Sequence, residues 1–181
     1  TTIAVNLAAA LATNYKKNCV LIDADPIGSS SLWLDDANIN RLKLKKLTLP
    51  NSPSNKFHAL QTWGASLSNI AVDCDIVIAD LPPIELGIFS ELIHQVNHVI
   101  IPVGLSSLEW EASFPLIERV ISTSKDSRET KGIIVPSRIH PQKILPREKI
   151  SEVLPSQWKL APQISLRSDF QKAVEKKTGW G

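Results

Sequence analysis

Short β-branched apolar runs alternate along this chain with longer amphipathic stretches, and that alternation predicts a mostly parallel sheet flanked by helices. The predicted strands are Asn18 to Asp23 (NCVLID), Asp75 to Asp80 (DIVIAD), His98 to Val103 (HVIIPV), Lys131 to Val135 (KGIIV) and a last one at Trp158 to Ala161. All but the last are continuously apolar rather than alternating, as strands buried on both faces are. The spacing predicts helices over Thr2 to Tyr15, Lys56 to Ala71, Leu86 to Gln95, Ser107 to Thr123, Pro146 to Val153 and Ser168 to Lys177. Asp35 to Asn55 is the least regular region. Its basic cluster RLKLKK followed by LPNSPSN reads as a strand plus a surface loop, not a linker. There is no internal repeat and no low-complexity tract.

Length narrows this to one α/β domain over residues 1–181, since 181 residues with 43% hydrophobic content suffice for a single core but not for two large domains. Cys19 and Cys74 have no metal-ligand spacing and lie in apolar surroundings, which predicts buried free thiols in a reducing, cytoplasmic setting. No apolar run reaches membrane-spanning length. The chain contains no methionine, and it opens inside a helical pattern rather than on a strand. Both features fit a piece of a longer protein that begins after its first strand. Charge is uneven: residues 1–130 carry ten Lys and Arg against fourteen Asp and Glu, residues 131–181 ten against four. The basic end suits a phosphate backbone or, equally, a solvated helical surface.

In an open parallel sheet, ligands collect beyond the carboxyl ends of the strands, so the residues at which each apolar run stops carry the chemistry. Two runs stop at aspartate. LIDADPIGSSS places Asp23 and Asp25 on alternate positions, and DIVIADLPP places Asp80 before Pro82 and Pro83. A single aspartate there is as readily a helix cap or turn former. Two strands delivering carboxylates to one rim meet the needs of a magnesium–nucleotide site, where one acid orients the metal's water shell and another the attacking water. The opening TT before an alanine-rich helix suits the start of a phosphate-binding helix, with Thr1 as an ordinary helix cap for the alternative.

TTIAVNLAAALA, VLIDADPIGSSSLW, CDIVIADLPP and HVIIPVGLSSLEW, taken in order, resemble the successive motifs of the ParA/MinD family of deviant-Walker ATPases, in particular the ParA branch. The closing ISLRSDFQKAVEKKTGW is similar to the family's final pattern. The resemblance implies a P-loop NTPase-like, three-layer αβα fold, with a strand and a Lys-Gly-Gly-x-Gly-Lys type loop standing before Thr1. It implies that Thr1 supplies a hydroxyl to Mg2+ and Thr2 supports the neighbouring phosphate. Asp25 would position the lytic water and Asp23 the metal's outer shell, Asp80 would hold a magnesium-bound water, and Pro82 and Pro83 would begin the switch that senses the terminal phosphate of ATP. Ser137 and Arg138 stand where the family contacts base or ribose. The sequence departs from the pattern at Ile27, where glutamine is common.

By the same resemblance the protein would hydrolyse ATP slowly, form a homodimer on ATP binding and bind DNA without sequence preference, in association with the nucleoid. A ParB-like centromere-binding adaptor would trigger hydrolysis during plasmid or chromosome partition. Lys143, Arg147, Lys149, Arg167, Lys172, Lys176 and Lys177 are the candidate DNA contacts. No membrane anchor of the MinD kind is visible in KKTGWG. A conjugative-transfer relative and a degenerate, non-catalytic module with the same fold are the alternatives. The 181-residue piece by itself is expected to be poorly stable and inactive, because a central strand would be missing. The four histidines and five tryptophans show no ligand or helical period; packing or partner contact accounts for most. Ser29 to Ser31 read as a helix start rather than as a nucleophile.

Overall fold

A computed structural model describes residues 1–35, 37–50, 56–83, 86–104, 106–126, 130–140, 142, 154, 158–165, 167 and 169–176. They fall into two compact units, residues 1–84 with 168–181, and residues 85–167.

The first unit begins with α1 (Thr2–Thr13), followed by β1 (Cys19–Asp23), α2 (Ser29–Leu34), β2 (Leu42–Lys46), α3 (Lys56–Ala71) and β3 (Ile76–Asp80). Its sheet is parallel, in the order β2-β1-β3. The helix α1 ends two residues before its predicted limit. Lys16 adopts a left-handed φ of 57°, and the Lys17 N–H donates to the Leu11 carbonyl, so the chain turns off the helix there.

Side-chain alternation along the strands makes the two faces of this sheet different. Leu21 on β1, Leu42 and Leu44 on β2 and Ile78 on β3 gather with Val5 and Ala8 of α1 and Trp33 and Leu34 of α2 in one apolar cluster. A last helix, Asp169–Glu175, adds Ala173 to it. On β2 the intervening residues, Lys43 and Lys45, are exposed on the other face. The pattern LKLKK therefore sorts apolar from charged positions with the period of two that a half-buried strand requires.

The second unit runs α4 (Leu86–Ile93), β4 (His98–Val103), α5 (Ser107–Asp126), β5 (Lys131–Pro136) and β6 (Lys159–Leu160), with a parallel sheet in the order β4-β5-β6. The helix Asp169–Glu175, which returns to the first unit, is α6. Val99, Ile101, Val103, Ile117, Val120 and Ile134 are buried in this unit's core. Gly132 is a glycine by necessity: a Cβ there would lie 2.2 Å from the Trp158 ring, which is itself buried.

The expected alternation of parallel strands and helices is what the structure has. The expectation of strands buried on both faces needs correction for β3 and β4, while it holds for β1 and, past Lys131, largely for β5. β1 is buried at all five positions, whereas β3 is only half-buried at four of its five and β4 exposes His98 and Pro102. The reason is pairing. Among the described residues β3 bonds only to β1, and β4 only to β5, so each is an outer strand with one side unpaired. The predicted helix over Pro146 to Val153 lies outside the described residues.

Candidate functional site

The register of the first sheet decides which side chains meet. Asp23 pairs with Lys46 on one side and with Asp80 on the other, so the carboxyl ends of three parallel strands form one row, Lys46–Asp23–Asp80. All three positions share the strand phase of Leu21, Leu44 and Ile78, and thus stand on the face that carries α1. Asp23 is fully buried and Asp80 nearly so.

Asp80 lies against the start of α1. Its Oδ1 is 2.9 Å from the Thr1 nitrogen, and its Oδ2 accepts a hydrogen bond from the buried Ser30 hydroxyl of α2. Thr1 is the N-cap of α1, yet its side chain makes no capping hydrogen bond. The alternative that Thr1 serves only to cap is therefore not realised through its hydroxyl.

Asp23 organises the loop that follows it. Its Oδ1 accepts from the Asp25 N–H at 3.2 Å, and its Oδ2 accepts from the Ser31 N–H, in the first turn of α2, at 2.7 Å. The carboxylate thus caps α2 from six residues before the helix, as a local N-cap residue does. The local N-cap position is Gly28, with φ of 75°, where any side chain would also crowd Lys46 Nζ at 3.1 Å. Asp25 is half-buried, and its Oδ1 accepts from the Ile27 N–H at 2.9 Å, a local turn that holds the carboxylate at the mouth of the loop. Ile27 is largely exposed beside it.

Thr1, Asp23, Asp25 and Asp80 are thereby held in one cluster by direct hydrogen bonds and by register. Thr2 opens α1 beside them, and the half-buried Pro82 and exposed Pro83 follow Asp80 on the chain. Ser137 and Arg138 belong to the second unit. They follow β5 at its carboxyl end, where the Ser137 N–H donates to the Val103 carbonyl at 2.8 Å. Arg138 has a left-handed φ of 57° and an ion pair with Glu109. Glu109 also receives the Ser106 hydroxyl at 2.7 Å and gives its own N–H to the same oxygen at 3.1 Å, a capping box at the start of α5. The Ser106 hydroxyl first, and the Arg138 guanidinium after it, hold the Glu109 carboxyl below the usual carboxylate range.

Of the predicted DNA contacts, Arg167, Lys172 and Lys176 are described and exposed, whereas Lys143, Arg147, Lys149 and Lys177 lie outside the described residues. Lys46 escaped the sequence reading. It stood in the basic cluster RLKLKK, and only the β1–β2 register shows it to be the neighbour of Asp23.

The curated carboxysome distribution protein A of Halothiobacillus neapolitanus is 28% identical over 148 residues, which are 81% of this chain and 64% of that protein. Among solved structures, apo McdA from Cyanothece superposes with a TM-score of 0.73 at 19% identity, covering 99% of this chain and 85% of that one; an ATP complex of a variant of it gives 0.67. The cell-division protein MinD of Aquifex aeolicus gives 0.70 at 19% identity, over 98% of this chain and 81% of that one. The chain is similar to these ParA/MinD-type proteins. Its fold is the P-loop NTPase fold of those proteins. No family model matches the sequence. The chain spans a little under two thirds of the curated relative's length.

Proposed function

We propose that this protein is a Mg2+-dependent ATPase of the ParA/MinD type that drives the positioning of a large intracellular cargo. The observation that carries the reading is the row of carboxylates on the face that carries α1: Asp23 and Asp80 are register neighbours at two strand ends, and the Ser30 hydroxyl of α2 donates to Asp80 Oδ2. A helix N-terminus attracts anions through its free N–H groups and its dipole, and α1 supplies both to the phosphates of ATP.

The donor set fits Mg2+. It consists of hard oxygens, two buried carboxylates and the hydroxyls of Thr1 and Ser30, and Mg2+ characteristically takes one or two carboxylates while keeping several waters. Bound Mg2+ supplies charge neutralisation at the terminal phosphates. The residues of the chain do the rest. The Thr1 hydroxyl and Asp80 hold the ion and its water, Thr2 supports the adjoining phosphate, and Pro82 and Pro83 stiffen the segment that senses the terminal phosphate. Asp25 orients the attacking water. Asp23 acts through Asp25: its hydrogen bond to the Asp25 N–H fixes where that carboxylate points. Ser137 and Arg138 contribute base or ribose contacts.

The cargo is DNA in the first reading: an ATP-bound homodimer associates with the nucleoid through non-specific contacts, and a ParB-like adaptor stimulates hydrolysis. A second reading follows from the relative that maintains carboxysome distribution, and gives this protein a proteinaceous body as cargo. Both share one chemistry. Asp25→Ala in the intact protein is expected to lower phosphate release by about a hundredfold or more, in the range for losing a positioned acid–base group. Affinity for fluorescent ATP should change little. An equal loss of binding and turnover would remove Asp25 from the water and return it to a structural role.

A further inference from the structure

The end of the first sheet opposite Asp23 and Asp80 is also built for an anion. Cys19 and Asp23 begin and end β1, roughly 13 Å apart at strand rise. Around the Cys19 end lies a cavity of about 470 Å3, lined by Arg41, Lys43 and Lys45 with the amides of Asn18 and Asn69, and with Asp73 as its carboxylate. The three cations outnumber the acids, which are Asp73 and, beside the lining, Asp75, whose carboxylate accepts the Asn18 N–H at 2.8 Å. Among the described residues, no carboxylate stands within ion-pair distance of Lys43 or Lys45.

One of the three cations, Arg41, is held in place by the chain around it. Lys43 and Lys45 alternate along β2 and so project to the same face, roughly 6.6 Å apart, a spacing that suits an anion with more than one phosphate. Arg41 enters β2 with a left-handed φ of 66°, uncommon for a residue with a Cβ, and its guanidinium is tied to the Lys16 carbonyl at 3.2 Å and Asn18 Oδ1 at 3.5 Å. Both bonds use a single nitrogen, which leaves donors for a ligand. Val20 and Ile70 give the cavity an apolar wall. Its volume falls within the range of small-molecule sites.

We propose that this cavity is a second anion site, separate from the nucleotide rim, that takes a small ligand bearing two or more phosphates. The concavity favours a compact ligand over the extended backbone of a duplex. The inference stands on this cavity alone and survives or falls independently of the ATPase reading.

The chain's two cysteines both line the cavity, Cys19 buried and Cys74 half-buried, so alkylation of Cys74 by a neutral maleimide reads occupancy at this place. Magnesium-free pyrophosphate at about four times its Kd should slow that alkylation about fivefold, by simple mass action. Lys43→Gln with Lys45→Gln should abolish the protection, and so should Asn69→Leu, which fills the cavity from α3 without touching the strand. Lys131→Gln, an exposed cation elsewhere, should leave it intact. Absence of protection in the wild type, or protection undiminished in both cavity variants, would overturn the proposal. Protection by a short duplex DNA but not by pyrophosphate would overturn it too, and would make the surface a nucleic-acid contact.

Discussion

Asp23 has both carboxylate oxygens committed to backbone N–H groups, one in the loop and one in α2, while fully buried. Truncation would leave two donors without acceptors, and an unsatisfied donor costs about 1–3 kcal/mol when water cannot reach it. Both donors are only partly buried, which puts Asp23→Ala near the lower half, at a loss of about 2 kcal/mol in urea unfolding. Asp23→Asn, which retains one acceptor oxygen, should lose about half of that. If both variants match the wild type, the loop does not depend on this carboxylate. The site was legible in the sequence up to this point. Strand ends marked Asp23 and Asp80, but only the register makes them neighbours and adds Lys46, and no local pattern encodes which strand pairs with which. The double duty of Asp23, as an acid in the row and as a distant cap for α2, was equally hidden, because the cap sits six residues before the helix it serves.

At the scale of elements, the long, strongly periodic stretches were the readable ones. The helix over Lys56–Ala71 and the strand His98–Val103 fall where hydrophobic spacing puts them. The six-residue α2 was readable only as a helix start, since its Ser29–Leu34 span is too short to display a 3.6-residue period. Burial was misjudged for β3 and β4 because an apolar run records the face of a strand and says nothing about whether its edge is paired. Close packing between elements is likewise invisible in a linear pattern. Gly132 reads as a mere interruption in KGIIV, yet the Trp158 ring occupies the space of its Cβ. Gly132→Ala must displace either a buried indole or β5 itself. It should cost about 3 kcal/mol, at the upper end of overpacking, seen as a lowered urea midpoint with unchanged m-value. Trp158→Leu should relieve the clash; if Gly132→Ala is neutral, the ring does not hold that position.

At the scale of the molecule, the basic carboxyl-terminal third is the feature most exposed to experiment. Its described cations differ in their freedom to meet a phosphate. Lys172 lies on α6 and Lys176 one turn further on, just past the helix end, and both are exposed. Lys172 has Asp169 at 3.7 Å as an exposed partner, a pairing worth little but enough to compete with a phosphate at low salt. Lys176 has no such neighbour within ion-pair distance among the described residues. If α6 tracks a DNA backbone, Lys176→Ala in the intact protein should lower the dependence of log K on log salt by about one, the share of one neutralised phosphate. Lys172→Ala should lower it by less, and neither change should depend on DNA sequence, because phosphate contacts carry no base information. Binding isotherms over a salt series on two unrelated duplexes separate these outcomes. A slope unchanged by both substitutions would leave the positive charge of α6 as a solvated surface and shift the search for the contact to the rest of the basic third.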